Sequence, residues 1–367
     1  MSKKRIAVIG LKGLPAFGGA ATVGENIIEH LKNEYEFTVY STSSHTELKT
    51  GDYNGVRQIV FRKFQFKKLN VIYYNFLSAL HAVLFSTYDL IHVHHIELSV
   101  ILPILKLRYK VLITSHGSPF LVKDKTFKYS NFMLTLLRFS ESRFIKFANK
   151  ITCVSKSFQL TLAEKYKRNI NYIPNGVNII ELEQGEPDEA IVFAAGRIIP
   201  TKGCHVFLSA LNNINYKGRV RIIGDLDQIN SYKAEILQLA SSLDVKFEGL
   251  VRDKMRLFQI IKNSKLFVFP SSVENMSIML LEAAALGAPQ IVSDIDENKI
   301  FDDDEVLYFK TDDVKDLGDK ILEAIENTYE MSARASKAKQ RVRSDYLWEN
   351  IAEQYSTLYE KLTIKVV

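Results

Sequence analysis

Glu274 and Glu282 stand eight residues apart in Pro270-Ser271-Ser272-Val273-Glu274-Asn275-Met276-Ser277-Ile278-Met279-Leu280-Leu281-Glu282-Ala283. The apolar run Leu266–Pro270 reads as a strand, and Ser277 to Leu286 as a helix closed by Gly287 and Pro289. Glu274 then lies just ahead of the helix, beside its free N–H groups. Glu282 lies on the helix, about 12 Å further along at the helical rise. A carboxylate so close to an apolar run is costly to bury unpaired, so Glu282 needs a hydrogen-bonding partner. An extended polar ligand along this edge would meet one acid at each end. The alternative is a solvated N-terminal acid followed by a partly exposed helix Glu.

Cationic chemistry has its own candidate segment, Gly196-Arg197-Ile198-Ile199-Pro200-Thr201-Lys202-Gly203, directly after a strand and ahead of a helical pattern from about Cys204 to Ile214. Lys202 at a helix N-terminus opposes the macrodipole by up to about 1 kcal/mol. That placement makes sense if an anion binds there, and Arg197 can give a fork of donors to the same phosphate. Two solvated loop charges are the alternative.

At the other end of the chain, Gly10 leads through a loop containing Gly18 and Gly19 into a helix beginning near Ala21. Glycines allow close backbone approach, and a helix N-terminus offers N–H groups to an anion. A tight turn would look the same. A nicotinamide dehydrogenase fits poorly: the spacing is not G-x-G-x-x-G, and the second strand ends in Tyr40-Ser41-Thr42 rather than an acid.

His92 and His94 share one face of the strand reading Leu90–His94, with His95 on the other. Further metal ligands cannot be placed, so an acceptor-facing role or simple burial is the expectation. Asp225 and Asp227 imitate a metal-binding Asp-x-Asp, but nothing else in the chain supports a metal. No nucleophile–base pair is apparent.

The elements that must position these residues alternate strand and helix, as in parallel α/β sheets. Candidate strands in the first half are Arg5–Gly10, Phe37–Tyr40, Leu90–His94, Val111–Ser115 and Ile151–Ser155. The second half restarts with Ile191–Ala195, Val220–Ile223, Val245–Glu248, Leu266–Pro270 and Gln290–Ser293. Pro174-Asn175-Gly176 and the acidic stretch Glu181–Glu189 separate the halves, placing a boundary near 180–188. Leu347 to Leu362 forms one amphipathic helix containing the sole tryptophan, Trp348. The expected domains are 1–182, 183–345 and a helix over 346–367.

A chain of 367 residues with 47% hydrophobic and 25% charged residues has enough apolar material for two cores. No apolar run is long enough to span a bilayer. The apolar start is too short for a signal peptide, and two distant cysteines, Cys153 and Cys204, match no disulfide or metal pattern. A cytoplasmic location is expected. The net charge of +6 conceals an asymmetry: residues 1–180 hold 25 Lys/Arg and 11 Asp/Glu (25 − 11 = +14), leaving 23 and 31 (−8) for the rest. One half is thus suited to an anionic partner. Two basic, aromatic stretches, Phe61–Phe85 and Leu121–Lys150, point to an anionic membrane surface, with a solvated helical face as the alternative; no nucleic-acid motif accompanies them.

Glu274 and Glu282 resemble the Glu-x7-Glu motif of the family 4 retaining glycosyltransferases, and the GRIIPTKG segment resembles that family's diphosphate-binding Arg and Lys. Thr114-Ser115-His116-Gly117, Val154-Ser155-Lys156 and Ile173-Pro174-Asn175-Gly176-Val177 are similar to further landmarks in the same order, and the likeness covers nearly the whole chain. The resemblance implies the GT-B architecture: two Rossmann-like α/β domains facing across a cleft, with the C-terminal helix crossing back to the first. It implies that Arg197 and Lys202 neutralise a leaving diphosphate and that Glu282 holds ribose hydroxyls. Glu274 and the N–H groups of Asn275, Met276 and Ser277 would hold the donor sugar. Gly18 and Gly19 would approach phosphate or sugar, and His116 would lie near the reacting centre.

The same resemblance implies same-face attack by the acceptor with no enzymic nucleophile, no cofactor and no metal. Charge stabilisation and orientation of the substrates would then carry catalysis. Asn275-Met276-Ser277 replaces the family's frequent Gly-Phe-Gly, which leaves sugar specificity open. The opening GLPAFGGAATVGENI is similar to bacterial polysaccharide members. Expected partners are a nucleotide-sugar donor and a saccharide acceptor on a lipid carrier. A small soluble acceptor, a nucleotide-sugar epimerase and a non-catalytic binding module are the competing readings.

Overall fold

The computed structural model describes residues 2–16, 18–65, 70–117, 131–183 and 185–364, with backbone only for 131–134. Phe17, Phe66, Lys67, Lys68, Lys123, Lys125, Phe127, Lys128 and Tyr129, which belong to the glycine-rich loop and the two basic stretches, lie outside these residues, as does the side chain of Phe132. The chain forms two units: residues 1–175 with 348–367, and residues 176–347. The passage between them falls at Asn175-Gly176, ahead of the acidic stretch.

The first unit follows the order β1 (Lys4–Lys12), α1 (Gly19–Leu31), β2 (Tyr35–Thr42), β3 (Gly51–Tyr53), β4 (Val56–Phe61), α2 (Asn70–Phe85), β5 (Leu90–His94), α3 (Leu102–Lys106), β6 (Val111–Ser115), α4 (Asn131–Phe144), β7 (Lys150–Cys153), α5 (Lys156–Tyr166) and β8 (Asn171–Tyr172). Its sheet has strand order β3-β4-β2-β1-β5-β6-β7-β8 among the described residues. All pairs are parallel except the β3–β4 hairpin. That hairpin turns on Asn54 and Gly55, both at positive φ, the geometry an Asn-Gly turn supplies. The central strands are buried on both faces, which explains their near-continuous apolar sequence.

The second unit contains β9 (Asp188–Arg197), α6 (Cys204–Asn213), β10 (Arg219–Asp225), α7 (Asn230–Ala240), β11 (Asp244–Gly249), α8 (Lys254–Asn263), β12 (Ser264–Phe269), α9 (Ile278–Leu286), β13 (Gln290–Ser293), β14 (Leu307–Phe309), α10 (Val314–Glu326) and α11 (Thr328–Asp345). Its all-parallel sheet runs β11-β10-β9-β12-β13-β14. One apolar core joins Phe193, Phe207, Ile222, Val268 and Ile291.

Helix α12 (Trp348–Thr363) returns to the first unit, burying Trp348, Ile351, Tyr355, Tyr359 and Leu362. Polar contacts fix its position. The Tyr35 hydroxyl lies 2.8 Å from Ser356 Oγ and donates to Glu360 Oε1 at 3.0 Å, and Lys4 pairs with Glu360. The amphipathic pattern thus predicts the helix, and its buried face accounts for every apolar position that set that pattern. Each unit has the parallel, helix-covered sheet expected of a Rossmann-like domain.

Candidate functional site

In the second unit the site is built by two loops at the carboxyl ends of adjacent parallel strands, β9 and β12. Gly203 ends the first loop in the left-handed region, at φ 72°, and a Cβ there would stand 2.1 Å from the Pro270 carbonyl oxygen. Only glycine permits that approach. The Ser272 N–H donates to the Thr201 carbonyl at 3.0 Å, closing the contact between the loops. Below them, the Ser293 hydroxyl donates to the Ser271 carbonyl at 2.5 Å, and Asn298 Nδ2 donates to Ser293 Oγ at 2.9 Å. The loop bearing Glu274 is therefore fixed from both sides.

This frame brings Lys202 and Glu274 together as an ion pair, both largely buried. Arg197, on the same edge, is exposed and has no ion pair or hydrogen bond from its side chain among the described residues. Asn275 keeps its side-chain oxygen buried and unpaired. A ligand hydroxyl is a fitting donor to it, because a buried acceptor is stabilised by a hydrogen bond. Met276 buries its side chain, and Ser277 spends its hydroxyl on the Leu280 N–H as the N-cap of α9. Met276 therefore has only backbone groups to offer a ligand, whereas the Ser277 hydroxyl, accepting at its oxygen, keeps its O–H to donate. None of the residues 274–277 adopts positive φ, so the loop holds its shape without the glycines found in relatives of the motif.

Glu282 sits a helix turn and more along α9, buried, and its partner is Lys254, whose Nζ donates to Oε1 at 3.3 Å. Burial raises the Glu282 pKa, and the Lys254 charge lowers it in part. Lys254 is the residue that sequence reasoning missed. It sits at the first position of α8, behind the N-cap Asp253, and no spacing rule links it to Glu282. Val177, Ile180 and Phe258 line a shallow hollow with Glu282, the kind of apolar wall a planar ring can lie against.

Asp225 and Asp227 are engaged internally. Asp225 accepts from the Asp227 N–H at 2.9 Å and from Gln228 at 2.6 Å, and Lys233 donates to Asp227 at 2.6 Å. Among the described residues no group of three or more His, Cys, Asp or Glu side chains has the arrangement of a metal site.

In the first unit, Gly10 has φ 110°, and a Cβ there would meet the His94 carbonyl oxygen at 2.2 Å. β1 and β5 are thereby clamped at the edge where the loops emerge. Gly18 and Gly19 lie exposed at the start of α1, with nothing within 4 Å of an added Cβ. The φ of 105° requires glycine at Gly18, whereas neither crowding nor conformation requires it at Gly19.

His116 follows β6, and its Nε2 lies 2.9 Å from His94 Nδ1, with the rings nearly parallel. His92, 4.2 Å from His94 between ring centroids, contacts the Tyr359 hydroxyl at 2.8 Å and Thr114 Oγ1 at 2.7 Å. Burial pushes His92 and His116 down to about 3 and His94 well below its usual value, with repulsion among the rings adding to the shift at His92 and His94. All three are neutral near pH 7. His94 Nε2 is buried without a partner. An orphaned N–H is costlier than an orphaned lone pair, so the proton of His94 belongs on Nδ1, donated to His116 Nε2. His116 then carries its own proton on Nδ1. The strand histidines are thus core residues that orient His116.

Comparison with known proteins bears on the family and the fold. The family described as Glycosyltransferase Family 4 matches residues 17–180, and that described as Glycosyl transferases group 1 matches 179–342. An uncharacterized glycosyltransferase of Methanocaldococcus jannaschii is 23% identical over 95% of this chain and 96% of its own. The Campylobacter jejuni N,N'-diacetylbacillosaminyl-diphospho-undecaprenol alpha-1,3-N-acetylgalactosaminyltransferase is 27% identical over 47% of this chain and 45% of its own. Among solved structures, sucrose-phosphate synthase from Thermosynechococcus elongatus superposes with a TM-score of 0.83 at 20% identity, covering 98% of this chain and 99% of that one. Anabaena HepE in complex with UDP-glucose gives 0.75 at 18% identity, covering 98% and 100%. With both family descriptions met in sequence order and the fold shared, the chain belongs to the family 4 glycosyltransferases and is a glycosyltransferase of the GT-B fold.

Proposed function

We propose that this enzyme moves a sugar from a nucleoside diphosphate sugar to a saccharide carried on a lipid, with retention at the anomeric carbon, during synthesis of a bacterial surface polysaccharide. The observation that carries the reading is the pairing of Lys202 with Glu274 beside the unpaired Arg197, at the carboxyl edge of a parallel sheet. Two cations beside one acid suit a diphosphate attached to a hydroxyl-rich sugar.

In the proposed reaction the acceptor oxygen bonds to the anomeric carbon on the face from which the diphosphate oxygen leaves. The acceptor proton passes to the departing diphosphate. Arg197 and Lys202 stabilise the charge growing on that leaving group, which needs neither an enzymic nucleophile nor a metal. Glu274, the Asn275 oxygen and the N–H groups of Asn275, Met276 and Ser277 hold the sugar. Glu282 takes the ribose hydroxyls. In the first unit, Gly18, Gly19 and the neutral His116 supply contacts to phosphate, sugar or acceptor.

Support for the carrier comes from relatives: the Campylobacter protein is named for an undecaprenol-linked substrate, and CapM of Staphylococcus aureus, 24% identical over 62% of this chain and 56% of its own, for capsular polysaccharide biosynthesis. HepE was solved with UDP-glucose, so a uridine donor heads the panel to be tried. The enzyme would work at the cytoplasmic side of the membrane; among the described residues no helix is long and apolar enough to cross one.

The test has two stages. A panel of nucleoside diphosphates is first ranked by the rise in melting temperature, because a ligand at 100 times its Kd stabilises by about 2.7 kcal/mol. The matching donor sugars are then offered with polyprenyl-diphosphate-linked and free saccharides, with chelator present. Extension of the lipid-linked acceptor with the donor's anomeric configuration is expected. Transfer to free saccharide alone would establish the soluble-acceptor reading instead.

A further inference from the structure

Helix α2 carries its residues the wrong way round for a soluble surface helix. It buries Tyr74, Asn75, Ser78, Ala79 and Ala82 against the first unit and turns Tyr73, Phe76, Leu84 and Phe85 outward. Tyr73, Phe76 and Leu84 lie on the outer stripe at spacings of three and eight residues, and Phe85 completes its end. Leu84 and Phe85 are 63% and 76% exposed. Leu107, 79% exposed, extends the same patch: its neighbour Arg108 donates to the Val83 carbonyl at 2.8 Å, and Tyr109 donates to the carbonyls of Ala82 and Ser86. The helix itself contains no charged residue.

Basic side chains bracket the patch. Arg62 and Lys63 are exposed just ahead of α2, where Phe64 stacks on Tyr73 at 4.8 Å, and Lys106 and Arg108 are exposed at the far end. None of these four pairs with a carboxylate among the described residues. A contiguous apolar surface rimmed in this way marks an interaction face.

We propose that this face is a membrane-docking surface: α2 lies in the plane of an anionic bilayer, with Phe76, Leu84, Phe85 and Leu107 entering the acyl boundary and the four cations at the headgroups. The 16-residue helix, about 24 Å long, has the length and one-sided apolarity to lie along an interface. A second copy of the chain is a poorer occupant. Both ends of the stripe are basic, so pairing the helices in either direction sets like charges together. The proposal deepens the lipid-linked acceptor reading by naming the surface that holds the enzyme at the membrane. It also changes the expected response to salt. Cations alone would be screened off, whereas inserted side chains leave a salt-resistant part of the binding.

Flotation with liposomes of phosphatidylcholine, with and without phosphatidylglycerol, tests this at low and high salt. The intact protein should float with the anionic vesicles and stay partly bound at high salt. Phe85→Ser with Leu107→Ser should cut the bound fraction at least tenfold, with thermal unfolding and donor turnover in solution unchanged. Phe85→Trp reports depth, because the native Trp348 is buried beyond the reach of lipid. Its emission should shift to the blue and be quenched by brominated acyl chains. Flotation without quenching would assign attachment to another surface and overturn the proposal. No flotation, or concentration-dependent dimers abolished by the serine substitutions, would overturn it too. Transfer to a lipid-linked acceptor is measured separately in detergent, so that the docking face and the proposed reaction can fail independently.

Discussion

Lys202 and Glu274, 72 residues apart in sequence, form an ion pair because the Gly203–Pro270 contact holds their loops together. The cation assigned to the diphosphate is thus already engaged by the acid assigned to the sugar. Donor binding must share or break this pair. Glu274→Ala is therefore expected to leave the affinity for nucleoside diphosphate alone unchanged or a few-fold tighter, while turnover falls at least tenfold. Titration of nucleotide without sugar checks this; a loss of affinity matching that in Glu282→Ala would reject the separation of roles.

Glu282→Ala should weaken nucleotide binding at least tenfold. Its buried carboxyl has a raised pKa, so the native state holds that proton more tightly than the unfolded chain. Stability from this group is present at low pH and lost as pH rises through the native pKa. Glu282→Gln, which imitates the protonated acid, should then melt above wild type at pH 7. The gap should close as pH falls below the ordinary Glu range, about 4.3. Lys254 is mostly exposed, so leaving it unpaired changes little. Calorimetry across pH 4–8 measures both trends.

Arg197 has no structural partner among the described residues. Arg197→Ala should shift stability by no more than about 0.5 kcal/mol, as an exposed substitution does, yet lower turnover at least tenfold. Equal loss of stability and activity would place Arg197 in the fold rather than in the reaction. Activity of the wild type is expected to survive excess chelator.

His116 is held neutral by burial, at about 3. The profile of kcat/KM should therefore show no step from His116 between pH 5.5 and 8.5. A step near pH 6.5 that disappears in His116→Ala would contradict the neutral assignment. His94→Leu should slow turnover without abolishing folding, and nitrogen chemical shifts of labelled histidine should place the wild-type His116 proton on Nδ1.

Gly203→Ala combines a left-handed backbone with a Cβ 2.1 Å from a carbonyl oxygen. A loss of about 1–3 kcal/mol is expected from the strain alone, together with weakened donor binding as the loops part. Gly19→Ala meets no atom within 4 Å, so its stability should stay within about 1 kcal/mol while activity reports whether a ligand needs that space.

Much of this was legible in local chemistry. The strands Leu90–His94, Val111–Ser115 and Gln290–Ser293 have the bounds read from their short runs, and every residue in them is buried, the polar ones included. Helix α9 begins after Ser277 and ends at Gly287, because capping is a matter of adjacent residues. Strands β3, β4, β8 and β14 escaped notice. β3, β8 and β14 have only two or three residues and carry no period, the six residues of β4 do not alternate in burial, and the Asn54-Gly55 turn between β3 and β4 was the one local signal available.

The amino-acid sequence alone therefore determined which residue types stand at the strand ends, and so the class of chemistry: cations for a diphosphate, acids and amides for hydroxyls. Tertiary structure decided who partners whom. Lys202 with Glu274, Lys254 with Glu282 and His94 with His116 are all pairs of non-adjacent segments, separated by 72, 28 and 22 residues. Parallel strands follow one another only after a helical crossover, so side chains meeting at their carboxyl edge share no period or spacing along the chain. The outward apolar stripe of α2 is a further case. Its composition was visible as an aromatic stretch, but an uncharged helix with apolar residues all round does not say which face is buried until the sheet it covers is in place.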